Sequence, residues 1–137
     1  MDITVEQPAR ARLITSESQE LPVVATLRYT SEDPFAVHID FPSEVSLSGT
    51  DITWTFSREL LQEGLDAPAG QGDVHIWPCG RAHTVLEFHA PEGLAMVQFD
   101  THVLRSFLKR TFAAVAFGQE DIDVAVDRGL AALVGGT

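Results

Sequence analysis

Four residues of this chain, His75, His83, Glu87 and His89, are the types best suited to bind a metal ion. Residues 83, 87 and 89 fall on one face of a predicted strand, and His75 lies on a neighbouring one. At about 3.3 Å per residue, positions 83 and 89 are about 20 Å apart, too far to share one ion. Only Glu87 and His89 are close enough to act together, and solvent-facing polar residues explain the pattern equally well. We therefore predict no metal site.

The motifs for nucleophilic catalysis and for phosphate binding are also missing. Cys79 is the single cysteine, and no predicted helix N-terminus stands beside it to activate the thiol. The sequence contains no G-x-S-x-G motif. Its G-x-G, from Gly70 to Gly72, precedes a predicted strand, whereas a nucleotide-binding loop precedes a helix. We predict no catalytic residues, no enzymatic activity and no cofactor.

The charge of the chain narrows the choice of partners. Nine Lys and Arg residues stand against twenty Asp and Glu residues, and the net charge is −11. Proteins that bind phosphates are usually basic, so this charge argues against nucleic acid or an anionic membrane as the main partner. With no long apolar stretch and no signal peptide, we expect a cytoplasmic protein without integral membrane contact. The length of 137 residues predicts one domain, spanning residues 1–137.

Hydrophobic periodicity predicts the elements that position these residues. Alternation predicts a hairpin of strands at 23–29 and 35–41, with Phe35 in the buried set. Ser57 is a good N-cap for a short helix, and Gly64 would end that helix. Further strands are predicted near 10–15 and over 52–57, 74–77, 84–90 and 94–99, with a loop over 67–72. Helices are predicted from 101 to 118 and from 121 to 134, and no internal repeat is visible. This order predicts an α+β fold with strongly twisted antiparallel sheets and C-terminal helices.

Basic residues gather on the face of the long predicted helix that lies opposite its apolar residues. They are Arg105, Lys109 and Arg110, and Lys109 is the single lysine of the chain. Such a face could bind an acidic partner, and a solvated helix face has the same pattern.

Five strings, spread in order over about residues 8–117, carry a family resemblance. They are Leu21-Pro22-Val23 with Leu27-Arg28-Tyr29, Asp33-Pro34-Phe35-Ala36-Val37-His38, Trp54-Thr55-Phe56-Ser57-Arg58-Glu59-Leu60-Leu61 with Glu63-Gly64-Leu65, Gly72-Asp73-Val74-His75-Ile76-Trp77-Pro78, and Ser106-Phe107-Leu108-Lys109-Arg110-Thr111. Together they resemble the SsgA-like proteins, small regulators of sporulation-specific cell division in filamentous actinobacteria, and they favour the SsgB type. The segment after Gln119 carries no part of this resemblance.

The resemblance implies non-enzymatic work in the placement of division septa. It implies recruitment of the FtsZ division protein, contact with SsgA-like relatives, a homotrimer, and a fold similar to the whirly single-stranded nucleic-acid-binding proteins. On this basis Arg58, Arg105, Lys109 and Arg110 are the candidate partner-binding residues, because a division filament is itself expected to be acidic. The alternative, which rests on the fold analogy, is a single-stranded nucleic-acid-binding protein with a whirly-like fold.

Overall fold

Alternating burial along the chain builds one antiparallel sheet. The computed structural model describes residues 3–14, 19–43, 49–91, 93–116 and 118–120. Its elements are β1 (Thr4–Ile14), β2 (Glu20–Thr30), β3 (Ala36–Phe41), β4 (Ile52–Ser57), α1 (Arg58–Asp66), β5 (Ala69–Gln71), β6 (Val74–Cys79), β7 (His83–Ala90), β8 (Gly93–Asp100) and α2 (Thr101–Ala114). The strands pair antiparallel in the order β4-β3-β2-β1-β8-β7-β6-β5. The predicted α+β class and antiparallel sheet are confirmed.

The order of elements repeats, although no repeat is visible in the sequence. Four strands followed by a helix occur twice, as β1–β4 with α1 and as β5–β8 with α2. We call these the first and the second unit. They meet at the centre of the sheet, where residues 11–14 of β1 pair with residues 96–99 of β8. This seam covers four residues of β1, whereas β1 pairs with β2 over all eleven of its residues.

The sheet is strongly twisted, as predicted, and its two units face each other across an aromatic cluster. Trp54 of β4 stacks on Phe88 of β7 with ring centroids 4.8 Å apart, although these strands are not neighbours in the sheet. The ring of Phe41 meets the same Phe88 edge-on at 5.8 Å. These contacts require the sheet to curl, and the curl encloses the apolar core.

Each helix packs largely on the sheet of the other unit. Helix α1 lies mainly on β5 and β6, whereas α2 contacts β1 and β2 as well as β8. In α1, Gly64 is buried directly against Ile76 of β6, and a β-carbon at residue 64 would clash with the Ile76 side chain. Gly64 therefore provides close approach between helix and sheet. The prediction that it ends the helix is wrong, since α1 continues to Asp66.

The remaining elements confirm several predictions and correct others. The Ser57 cap is confirmed, because the Leu60 N–H donates to Ser57 Oγ at 3.0 Å. Phe35 is 48% exposed and precedes β3, so its predicted burial is wrong. The strand β1 begins earlier than predicted, the predicted loop at 67–72 contains β5, and α2 ends at Ala114. The helix predicted over 121–134 lies outside the described residues, and within them no helix is long and apolar enough to cross a membrane.

Candidate functional site

The outer face of α2 carries the basic residues that the periodicity places there. One side of the helix is buried through Leu104, Phe107, Leu108 and Thr111. Arg105, Lys109 and Arg110 are exposed on the other side. We call these three residues the cationic face.

Neighbouring groups hold two of the three cations in place. The Arg105 guanidinium meets the Asp66 carboxylate at 3.2 Å, in a pair whose side chains are 55% and 73% exposed. A pair this exposed contributes little to stability. Arg110 Nη1 donates to the Gln7 side-chain oxygen at 3.1 Å, which leaves its charge uncompensated. Within the described ranges, neither Lys109 nor Arg110 takes part in an ion pair. The face therefore presents positive charge on an otherwise acidic protein.

Arg58 is not part of this surface, and its predicted role in binding a partner stays a prediction. Its side chain is 2% exposed. The guanidinium carbon lies 5.1 Å from the centre of the Tyr29 ring and 4.2 Å from that of Phe112, within the range of cation–π contacts. Helical spacing is the signal that could have revealed this, because Arg58, Leu61 and Leu65 follow one face of α1, and all three are buried.

Arg58 instead joins three parts of the molecule. It begins α1, and its Nη1 donates to the backbone oxygens of Thr111 at 3.1 Å and Val115 at 2.7 Å. Those carbonyls lie at the C-terminal end of α2, where the helix leaves acceptors unsatisfied. Its Nη2 meets Oε2 of Glu120 at 3.2 Å. No spacing rule in the sequence links Glu120 to Arg58, so Glu120 could not be predicted as its partner.

The Glu120 carboxylate is mostly buried, with 13% of its side chain exposed. Burial acts to raise its pKa, but the Glu120 backbone amide and the Arg58 guanidinium stabilise the charged form, and the pKa is lowered. The pair lines a cavity of about 70 Å³, together with Phe35, Phe112 and the first turn of α1. We call this cavity the Arg58 pocket.

The histidine cluster takes a definite form on the outer face of β6 and β7. Glu87 and His89 are a local pair, with Oε1 and Nε2 2.6 Å apart. The His75 ring lies 5.1 Å from the His89 ring, while His83 pairs instead with Asp100 at 3.4 Å. Over the residues with described positions, no three His, Cys, Asp or Glu side chains are arranged to hold a metal ion.

Comparisons with known proteins give one consistent result. Residues 23–120 match the family described as Streptomyces sporulation and cell division protein, SsgA. The chain is 44% identical to the sporulation-specific cell division protein SsgB of Salinispora tropica, over 93% of this chain and 94% of that protein. It is 40% identical to the SsgB of Streptomyces coelicolor, over 95% of each.

Two solved structures share the fold as well as the sequence. An SsgB structure from work on Streptomyces coelicolor superposes with a TM-score of 0.80 at 39% identity, covering 90% of this chain and 97% of the other. The SsgA-like sporulation-specific cell division protein of Thermobifida fusca also superposes with a TM-score of 0.80, at 32% identity, over 96% of this chain and 94% of the other.

Proposed function

This chain belongs to the SsgA family of sporulation and cell division proteins, and we propose that it is a non-enzymatic regulator of sporulation-specific cell division. In this proposal it acts in the cytoplasm at division septa, where it helps to position septum formation by recruiting FtsZ. It works there with SsgA-like relatives and needs no cofactor. Family membership supports the division role, and the cationic face supports the mode of recruitment.

The observation that carries the recruitment proposal is the charge of the cationic face. Arg105, Lys109 and Arg110 stand exposed on a protein whose net charge is −11. If the FtsZ filament is acidic, the net negative charge of this chain would oppose contact in general, whereas the cationic face would attract the filament. Such charge complementarity selects the orientation of docking and raises the association rate more than it raises affinity.

The experiment is triple charge reversal of the cationic face, R105E with K109E and R110E. We expect the variant to lose co-sedimentation with FtsZ polymers while its melting temperature stays within a few degrees of the wild type. The matched control is R10E with R12E and R81E, which makes the same change in net charge at three other exposed arginines. Binding that survives the first set of substitutions, or that both sets abolish equally, would contradict a specific surface.

Two further parts of the proposal concern assembly and nucleic acid. We propose a homotrimer with its acidic residues outside the interface core, because unpaired buried carboxylates are costly. Light scattering should then give about three times the chain mass of 14.9 kDa.

For a labelled single strand of DNA, we expect that binding does not saturate at micromolar protein in about 0.15 M salt. Tight, salt-sensitive binding would favour the nucleic-acid alternative instead.

A further inference from the structure

The Arg58 pocket is a buried cationic site that already contains a carboxylate. Arg58 is 2% exposed, and Oε2 of Glu120 lies 3.2 Å from its Nη2. Among the described residues, Nη2 of Arg58 and Oε1 of Glu120 are both buried and have no hydrogen-bond partner. A guanidinium can bind both oxygens of a carboxylate at once. Glu120 therefore uses only part of the binding capacity of this site.

We propose that the Arg58 pocket is a carboxylate-binding site, which Glu120 occupies from within the chain and which an acidic side chain of a partner can occupy in its place. The site combines a fixed cation with apolar walls. The aromatic rings of Tyr29 and Phe112 hold the guanidinium, and its Nη1 is anchored on the carbonyls of Thr111 and Val115. A cation oriented in this way loses little freedom when it binds a ligand.

The charges around the pocket allow one carboxylate and exclude a second. Among the described residues that line the pocket, Arg58 is the single cation, and Glu59 and Glu120 are the two carboxylates. A further carboxylate would add a third negative charge, so a ligand must displace Glu120 rather than bind beside it. Phe35 lines the same cavity and is 48% exposed, which gives an incoming acidic residue an apolar surface to cover.

This competition predicts how affinity should change when Glu120 is removed. A carboxylate within the chain has a high effective concentration, so an external carboxylate binds the wild type weakly. The substitution E120A empties the site and leaves the Arg58 charge uncompensated. Acetate, the simplest probe of the ligand class, should then bind E120A at least about tenfold more tightly than the wild type.

The test is chemical rescue of stability. We expect acetate to raise the melting temperature of E120A in a saturable manner, relative to chloride at equal ionic strength, and to have little effect on the wild type. E120Q is the size-matched control, because its neutral amide still fills the pocket. E59A is the charge-matched control, since Glu59 lines the cavity without pairing with Arg58. Neither control should gain acetate binding.

The NMR signal of the Arg58 side chain shows directly whether acetate binds at this site. The side-chain NMR signal of Arg58 should shift with acetate concentration in E120A, and N-acetylglutamate α-amide should act in the same way as acetate. The proposal is overturned if E120A shows no acetate-specific stabilisation, if E120Q or E59A responds as strongly as E120A, or if the Arg58 signal does not move. These outcomes are independent of FtsZ binding, so the proposed function stands or falls separately.

Discussion

The helices that end the first and second units differ in how they are capped and in which residues they bury. Helix α1 has nine residues, begins with a side-chain cap from Ser57 and buries an arginine and a glycine. Helix α2 has fourteen residues, lacks a side-chain cap bond at Asp100 and exposes its basic residues. The same order of elements thus gives a helix with a buried arginine, Arg58, in one unit and a helix with an exposed basic face in the other. Position in the fold, more than residue type, decides what each arginine does.

The largest expected effect comes from exchanging arginine for methionine in both helices. Arg58→Met leaves the buried Glu120 carboxylate and the Val115 carbonyl without this partner, while the Thr111 carbonyl keeps the hydrogen bond from the Val115 N–H. We expect the free energy of unfolding to fall by about 3–5 kcal/mol, the usual cost of breaking a buried pair. Arg105→Met removes an exposed pair and should cost less than about 1 kcal/mol. Urea denaturation measures both, and equal losses would contradict the contrast between the helices.

A smaller effect is expected from placing alanine at one position of each helix. Gly64→Ala forces a β-carbon against Ile76, so it should destabilise the protein by about 1–3 kcal/mol despite the better helix propensity of alanine. Ser106→Ala changes an exposed position of α2 and should stay within about 0.5 kcal/mol of the wild type. Thermal unfolding monitored by circular dichroism distinguishes the two. A stabilised Gly64→Ala variant would show that α1 can move away from β6.

The smallest effect concerns pH and the outer-face ion pairs of the two units. In the first unit, Arg28 donates two hydrogen bonds to Asp40, at 3.0 and 3.1 Å. In the second unit, the ion pairs among the described residues, His83 with Asp100 and His89 with Glu87, need a protonated histidine. The Arg28–Asp40 pair therefore carries both of its charges without a protonated histidine.

The hydrogen bonds from Arg28 lower the pKa of Asp40 below its ordinary value of 3.8, against the opposing effect of burial. The stabilisation is therefore present above pH 3.8 and is lost as the pH falls through the lowered pKa. Asp40→Asn should reduce this loss of stability at low pH by less than about 1 kcal/mol, because the pair is about one third exposed. Arg28→Met should reduce the same loss by a similar amount, measured by urea denaturation between about pH 5 and pH 2. If the two substitutions change the loss by different amounts, another group is responsible for it.

Local patterns predicted much of the sheet and the cationic face. Alternation at Val23 to Tyr29 identified a buried strand face, and helical spacing put Arg105, Lys109 and Arg110 on one exposed side. Both patterns depend only on residues close together in the sequence. They fail where a distant contact decides the outcome. Phe35 continues an alternating pattern, yet the turn that holds the Tyr29 hydroxyl against the Pro34 carbonyl leaves the phenylalanine exposed.

The Arg58 pocket could be predicted only in part for the same reason. Periodicity in α1 contains the information that Arg58 faces inward, but its partners come from residues 111, 115 and 120, more than fifty positions away. Gly64 shows the same limit. A glycine near the end of a short helix usually marks its stop, and only the position of Ile76 reveals close packing instead.

The exchange of helices between the units has a consequence for how the chain reaches its fold. Helix α1 covers β5 and β6, and α2 covers β1 and β2, so neither unit has its full apolar cover until the other has been assembled. A chain with only one unit folded would expose core side chains to water, which disfavours that state. Folding should therefore be a single cooperative transition. It should also be slow, because β1 must pair with β8, about eighty residues away along the chain.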